Sequence, residues 1–113
     1  MARSRAVTLW LPVVAWAGVI FALSSIPSLS SGLGTWDYVL RKCAHMTEYA
    51  VLAALLYRAL DRELPAFVGA VAYAATDELH QHFVPGRHAS AVDVAIDAVG
   101  ATIGLLAWGR LRA

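Results

Sequence analysis

Four long apolar runs follow one another along the chain, and short polar segments separate them. Each run has about the 20 residues that a helix needs to cross the hydrocarbon core of a membrane. None of them alternates apolar and polar residues with the period of two that a barrel strand shows. A helical interpretation also pairs every backbone polar group inside lipid. The predicted spans are residues 6–26, 39–60, 66–84 and 90–109.

The segments between the runs have the composition of turns. Residues 27–34 are rich in serine and glycine, and both residues 61–65 and residues 85–88 contain a proline beside charged residues. The first run exceeds the roughly 7–15 apolar residues of a signal peptide, so we expect a retained span. The pattern therefore predicts a single all-α domain over residues 1–113, an integral membrane bundle of four transmembrane helices.

Composition supports a lipid environment and excludes other classes. Hydrophobic residues make up 59% of the chain and charged residues 15%, whereas soluble domains have about a quarter charged residues. A net charge of +1 without a basic run argues against a nucleic-acid partner. The single cysteine, Cys43, excludes an intramolecular disulfide.

The basic residues predict the orientation. With four spans both termini lie on one side, and that side would hold six of the nine lysines and arginines. Because basic residues favour the cytoplasmic side, both termini are predicted to be cytoplasmic. The six are Arg3, Arg5, Arg58, Arg62, Arg110 and Arg112, and the other three are Arg41, Lys42 and Arg87.

Polar and ionisable residues of the last three spans gather near the outer end of the predicted bundle. At about 1.5 Å per residue, they all lie within roughly 15 Å of the outer boundary. Because intramembrane charges are costly, we expect them to face the interior and to pair. They are Arg41, Lys42, His45, Glu48, Asp77, Glu78, Gln81, Asp93 and Asp97.

Helical spacing places some of these residues on common faces. Arg41, His45 and Glu48 follow the i, i+4, i+7 pattern of one helix face, and Asp93 and Asp97 are one turn apart. A purely structural role is the simpler alternative, in which basic residues snorkel to the interface or ion pairs fix helix register. The number of ionisable groups in so short a chain exceeds what register requires, which favours a site.

Three short motifs occur in order along the chain. They are Lys42-x-x-His45-x-x-Glu48-Tyr49, Asp77-Glu78-x-x-Gln81-x-Phe83-x-Pro85-Gly86-Arg87 and Asp93-x-x-x-Asp97-x-x-Gly100. Each motif alone is a weak signal, but the three together, at these spacings in a membrane setting, resemble the VanZ-like family. The resemblance covers about residues 38–108 and implies a multi-pass protein of the bacterial inner membrane. The family's namesake is linked to resistance to teicoplanin, a glycopeptide that acts outside the membrane on cell-wall precursors.

The chain departs from the family pattern at Asp97, where asparagine is usual. The additional carboxyl group predicts either a proton shared with Asp93 or a basic partner, with Arg41 and Lys42 nearest in depth. Gly100 and Gly104 form a small-xxx-small pair that predicts close helix packing rather than chemistry.

The first functional hypothesis is an enzyme that transfers or hydrolyses the phosphate-linked head group of a membrane lipid or lipid-linked cell-wall precursor. His45 would be a general base or nucleophile oriented by Glu48 or Asp77, and Arg87 would hold phosphate through a bidentate fork. The predicted catalytic set is His45, Glu48, Asp77 and Asp93. The predicted substrate-binding set is Arg41, Lys42, Glu78, Gln81, Arg87 and Asp97.

The alternative is a non-catalytic membrane protein that binds or shields such a precursor, or the antibiotic. A metal site built on His45 and Glu48 is less favoured, because the chain has no second motif of that kind and no cysteine pair. No cofactor is predicted. A proton or ion path is disfavoured as well, since the inner halves of the spans lack polar steps.

Overall fold

The computed structural model describes residues 2–25, 35–84 and 91–112 of the chain. Four α-helices account for almost all of this part: α1 (Ala2–Ser24), α2 (Thr35–Leu60), α3 (Glu63–His82) and α4 (Ala91–Arg112). No strand occurs among the described residues. The prediction of an all-α fold of four helices is confirmed.

The helices differ from the predicted spans mainly at their ends. α1 and α2 each begin four residues earlier than predicted, and α4 extends three residues further. α3 begins at Glu63 rather than at residue 66, because Pro65 falls in its first turn, where a backbone N–H has no intrahelical partner in any case.

Two of the four helices are long and apolar enough to cross a membrane by length and composition. They are the stretches Arg5–Ser24 in α1 and Ala91–Leu111 in α4. α2 and α3 do not qualify by the same criterion, since their sequences carry more charged residues. Four spans with cytoplasmic termini therefore remain a prediction.

A two-residue turn connects α2 to α3. Asp61 adopts a left-handed backbone conformation with φ of 58°, and its N–H donates to the carbonyl of Tyr57 at 2.7 Å. Aspartate is one of the few residues other than glycine that enters this region at modest cost. The turn reverses the chain, so α2 and α3 form an antiparallel hairpin.

α2 and α4 run in the same direction. Lys42 contacts Asp93 near the start of both helices, and the ring of Tyr57 lies beside Gly109 near their ends. α3, which lies between α2 and α4 in sequence, runs in the opposite direction and packs against both. This alternation is that of an up-down-up-down bundle.

α1 runs antiparallel to α2 and joins the bundle from one side. The indole of Trp16 donates to the carbonyl of Glu48 at 2.8 Å, and Arg58 donates to the carbonyl of Thr8 at 3.2 Å. Within the described residues α1 packs on α2 and α3 but makes no contact of comparable closeness with α4. The core of the bundle is formed mainly by α2, α3 and α4, and α1 contributes Val13 and Ile20 to it.

Small residues allow α2 and α4 to approach each other closely. A Cβ placed on Gly100 would lie 2.8 Å from Cα of Met46, and one on Gly104 would lie 2.7 Å from Cα of Ala50. Such separations are far below van der Waals contact, so only glycine fits at either position. The predicted packing role of the two glycines agrees with this geometry.

α3 presents a buried stripe of small residues to the other helices. Ala66, Ala70 and Ala74 are at most 1% exposed and follow one another at intervals of one helical turn. Asp77 and Gln81 continue the same stripe and are each 3% exposed. The buried face of α3 thus changes from alanine to polar residues toward its C-terminal end.

We predict that Gly104→Ala destabilises the bundle, because the added Cβ would collide with the backbone of Ala50. Overpacking of this kind costs about 1–3 kcal/mol in free energy of unfolding. Thermal unfolding in one detergent measures the effect. Gly18→Ala is the matched control: nothing lies within 4 Å of a Cβ there, so its stability should be unchanged or raised by up to about 1 kcal/mol. Equal stability of both variants would contradict the close approach.

Candidate functional site: a polar layer at one end of the bundle

The buried polar side chains lie together at one end of the bundle. The alternating helix directions bring the C-terminal ends of α1 and α3 to the same end as the N-terminal halves of α2 and α4. We call this set of side chains the polar layer. Its buried members are Ser24, Asp77, Glu78, Gln81, Asp93 and Asp97, and Arg41, Lys42, His45, Glu48 and Tyr49 of α2 complete it.

His45 lies between two carboxylates in the polar layer. Its Nδ1 atom is 3.8 Å from Oε2 of Glu48 and 3.6 Å from Oδ1 of Asp97. Glu48 follows His45 by one turn of α2, and Asp97 comes from α4. Both separations exceed a hydrogen bond, so the contacts are electrostatic in this arrangement. The imidazole is thereby oriented with Nδ1 toward the two acids.

An ion pair between Lys42 and Asp93 joins α2 to α4. The side chains are 22% and 11% exposed, so the pair is largely removed from solvent. Removing one partner of a buried pair costs about 3–5 kcal/mol, mainly because the other charge is left uncompensated. The pair and the contact of Asp97 with His45 hold the two helices in one register.

Asp77 is the centre of a second group of polar contacts that joins α1, α2 and α3. Its Oδ2 atom accepts hydrogen bonds from Ser24 Oγ at 2.8 Å, from Tyr49 Oη at 3.2 Å and from Gln81 Nε2 at 3.5 Å. Gln81 Nε2 also donates to Ser24 Oγ at 3.3 Å. Asp77 of α3 thus connects its own helix to α1 and α2.

Several carboxyl groups of the polar layer lie close to one another. Asp97 lies within electrostatic range of the carboxylates of Glu48, Asp77 and Glu78 as well as of Lys42. Oδ1 of Asp77 and Oδ1 of Asp97 have no hydrogen-bond partner among the described residues. Buried polar atoms without partners are rare and costly, which makes them informative about function.

A cavity of about 210 Å³ lies between α1 and α2 at the polar layer. It is larger than the roughly 150 Å³ that holds a benzene molecule, so a phosphate group fits. Hollows of about 260 and 340 Å³ lie elsewhere and are lined mainly by apolar side chains. The polar cavity is lined by Leu23, Ser24, Arg41, Ala44, His45 and Glu48.

The structure brings together most of the residues that the sequence predicted for a site. Arg41 lines the cavity with an exposed side chain, and Glu78 is buried on α3 near Asp97. Arg87 lies outside the described residues. Among those described, no three His, Cys, Asp or Glu side chains are grouped as a metal ion would need.

The pairing of these residues differs from the two arrangements considered in the sequence. Asp97, rather than Asp77, accompanies Glu48 at Nδ1 of His45. Lys42 forms its ion pair with Asp93, so His45 is the basic side chain that contacts Asp97. Helical spacing defines the face on which a residue lies, but not which neighbouring helix that face meets.

Two members of the polar layer were not among the predicted site residues. Ser24 is the last residue of α1 and Tyr49 belongs to the first motif, and both donate to Asp77. A signal for Ser24 exists in hindsight: it lies at the depth of Asp77 if α1 and α3 run parallel. Nothing in a run of apolar residues marks which terminal serine turns inward.

We predict that Asp97→Asn keeps or raises the stability of the protein, because burial and the neighbouring carboxylates disfavour a negative charge at this position, whereas a neutral amide fits there and supplies a donor. Asp97→Ala should lower the free energy of unfolding by about 1–3 kcal/mol, since it deprives its surroundings of a polar partner. Thermal unfolding of both variants measures this. Equal losses in both variants would show instead that the charge of Asp97 on His45 is what stabilises the site.

A protein-family model described as VanZ/LLP1 matches residues 3–112 of the chain. The matched range includes all four helices almost entirely, together with the polar layer. No curated protein and no solved structure matches the chain.

Proposed function

Because the chain belongs to the VanZ/LLP1 family, as its three motifs predicted, we propose that it is a multi-pass protein of the bacterial inner membrane. In this proposal the polar layer faces the outer leaflet and acts on the phosphate-linked head group of a lipid or lipid-linked cell-wall precursor. The reaction class is transfer or hydrolysis at the phosphate. The observation that carries the proposal is the cavity in which Arg41 and His45 face one phosphate-sized space.

The helix lengths support four membrane spans. The helices have 23, 26, 20 and 22 residues, which at 1.5 Å per residue gives lengths of about 30–39 Å. The hydrocarbon core of a membrane is about 30 Å thick. The polar residues of α2 and α3 are concentrated at one end, where buried pairing lowers the cost of charge in lipid.

The distribution of arginine supports cytoplasmic termini. Six of the nine basic residues belong to the end of the bundle that holds both termini and the α2–α3 turn. Under the positive-inside rule that end is cytoplasmic, and the polar layer then faces outward. A substrate on the outer leaflet would reach the cavity between α1 and α2 from the side of the bundle.

The topology prediction is tested with reporter fusions. A reporter that is active only in the cytoplasm should be active when fused after Ala113 and inactive when fused after Gly32, because three spans separate the two positions in the proposed arrangement. The reciprocal pattern with a reporter active only outside serves as the control. An active fusion at Gly32 with a silent fusion at Ala113 would invert the orientation and turn the polar layer toward the cytoplasm.

The chemistry assigns separate roles to the residues around the cavity. The guanidinium of Arg41 would bind phosphate oxygens, with Arg87 as the second candidate from the motif. His45 holds Nδ1 toward Glu48 and Asp97, so proton exchange with a substrate would take place at the opposite nitrogen, Nε2. The two carboxylates orient the ring and stabilise its cationic form.

The remaining polar residues would support this arrangement. The Lys42–Asp93 ion pair holds α2 against α4, and it thereby keeps His45 and Asp97 in contact. Ion-pair networks also occur without catalysis, and register alone would account for Lys42 and Asp93. His45, however, lies between two acidic side chains and beside a cavity of about 210 Å³. This arrangement favours a catalytic role over a purely structural one.

The enzymatic proposal predicts that the purified protein changes a phosphorus-labelled head group in a bacterial lipid extract containing lipid-linked precursors. His45→Ala should lower the rate about 10²–10⁴-fold, the usual contribution of general acid–base catalysis. Arg41→Lys should weaken substrate binding, because lysine keeps the charge but lacks the bidentate fork. Chromatography and mass spectrometry of the lipids measure the products.

Two exposed residues provide matched controls. His82→Ala and Arg110→Lys alter the same residue types outside the polar layer, and both variants should keep full activity. Unchanged head groups with folded wild-type protein would contradict catalysis. Lipid that copurifies with the wild type and with His45→Ala, but not with Arg41→Lys, would favour the non-catalytic binding alternative. In cells, we propose that expression lowers teicoplanin susceptibility and that His45→Ala abolishes this effect.

A further inference from the structure

Ser24 occupies an unusual position at the end of α1. Its side chain is 2% exposed, yet it forms part of the wall of the polar cavity with Arg41 and His45. We infer that Ser24 is a nucleophile of this site and that Asp77 accepts its proton. This assignment rests on the proposed function for its natural substrate, but its test does not depend on that substrate.

The hydroxyl of Ser24 is directed at a carboxylate. Its Oγ donates to Oδ2 of Asp77 at 2.8 Å, which is the geometry of a hydroxyl beside a general base. The amide of Gln81 donates to Oγ at 3.3 Å, and Tyr49 donates to the same Asp77 oxygen at 3.2 Å. Both contacts hold the serine and the carboxylate in fixed positions. The other oxygen of Asp77 has no hydrogen-bond partner among the described residues.

Other hydroxyl side chains in the described helices are bound differently. Each of four donates to a carbonyl four residues earlier in the chain, at 2.9–3.0 Å, and each is exposed; Ser25 Oγ also lies 3.4 Å from Nε2 of His80. This is the usual behaviour of serine and threonine in helices. Ser24 instead bonds to a side chain 53 residues away on another helix. The four are Ser25, Thr47, Thr76 and Thr102.

The proposed step uses groups that are present around the cavity. Oγ of Ser24 attacks the phosphorus of a phosphodiester, the Ser24 O–P bond forms, and the bond from phosphorus to the head-group alcohol breaks. The hydroxyl proton passes to Asp77, and the leaving oxygen takes a proton from His45. Water then attacks the phosphorus of the serine-linked lipid phosphodiester and gives a proton to His45, the Ser24 O–P bond breaks, and Oγ takes back the proton from Asp77. The lipid phosphomonoester is released and all three side chains regain their starting state. Arg41 would neutralise charge on the phosphate oxygens.

The experiment uses a fluorophosphonate probe, which reacts with activated serine hydroxyls irrespective of the natural head group. Attack by Ser24 forms an O–P bond and expels fluoride, and Asp77 takes the proton. The full chain in lipid nanodiscs is treated with the probe, and tandem mass spectrometry of its peptides locates the adduct. We expect the adduct on Ser24 and at least tenfold slower labelling in Asp77→Asn.

Ser25→Ala is the matched control, because Ser25 is adjacent and exposed, bonds to the carbonyl of Phe21 and lies 3.4 Å from Nε2 of His80, so it is the serine most able to compete for the probe. Its labelling should equal that of the wild type. Absence of an adduct on Ser24 in folded wild-type protein, or an adduct confined to another residue, would overturn the inference. Because the wild type alone gives this result, instability of Ser24→Ala does not affect it. An adduct on Ser24 without turnover of any lipid head group would sustain the nucleophile and refute the enzymatic proposal.

Discussion

The close approach of α2 and α4 is the constraint on which the polar layer depends. Gly100 and Gly104 bring the backbone of α4 against Met46 and Ala50 of α2. In lipid there is no hydrophobic force between helices, so packing of small residues supplies much of the attraction. One turn before Gly100, the same face of α4 carries Asp97, which therefore meets His45. The face of α4 that packs against α2 is therefore also the face that carries the polar-layer residue Asp97.

On α3, too, one face serves both packing and the polar layer, because a stripe of buried alanines continues into Asp77 and Gln81. Alanines permit helices to lie close together, and close helices exclude water and lipid from the polar side chains that follow. The low dielectric constant of such a buried region strengthens each electrostatic contact within it. It also makes every unpaired oxygen expensive, as at Oδ1 of Asp77 and of Asp97. A site built in this way is well suited to bind a charged group that completes its contacts.

The sequence was sufficient to predict the helices, the gathering of polar residues at one end and the family. These features depend on hydrophobic run length and on the 3.6-residue period, both of which are local. The partners across helices were less accessible: Asp97 beside His45 and Ser24 beside Asp77 depend on which helices are neighbours and at what height. Gly100 did indicate a close contact, but a small-xxx-small pair does not name the helix that it meets. α3 began earlier than predicted because Glu63 and Leu64 were assigned to the polar turn, whereas they form the first turn of the helix together with Pro65.

The pairing of α2 with α4 has a consequence for biosynthesis. Lys42 and His45 are made early, while Asp93 and Asp97 lie about fifty residues later, on the last helix of the described chain. In the proposed four-span arrangement, α2 would enter the membrane before these two acidic partners have emerged from the ribosome. Until α4 is made, Lys42 and His45 of α2 would then stay near the lipid head groups or contact the insertion machinery. In that arrangement, final burial of α2 would be coupled to completion of translation, because a chain that lacks α4 also lacks the acidic partners of Lys42 and His45.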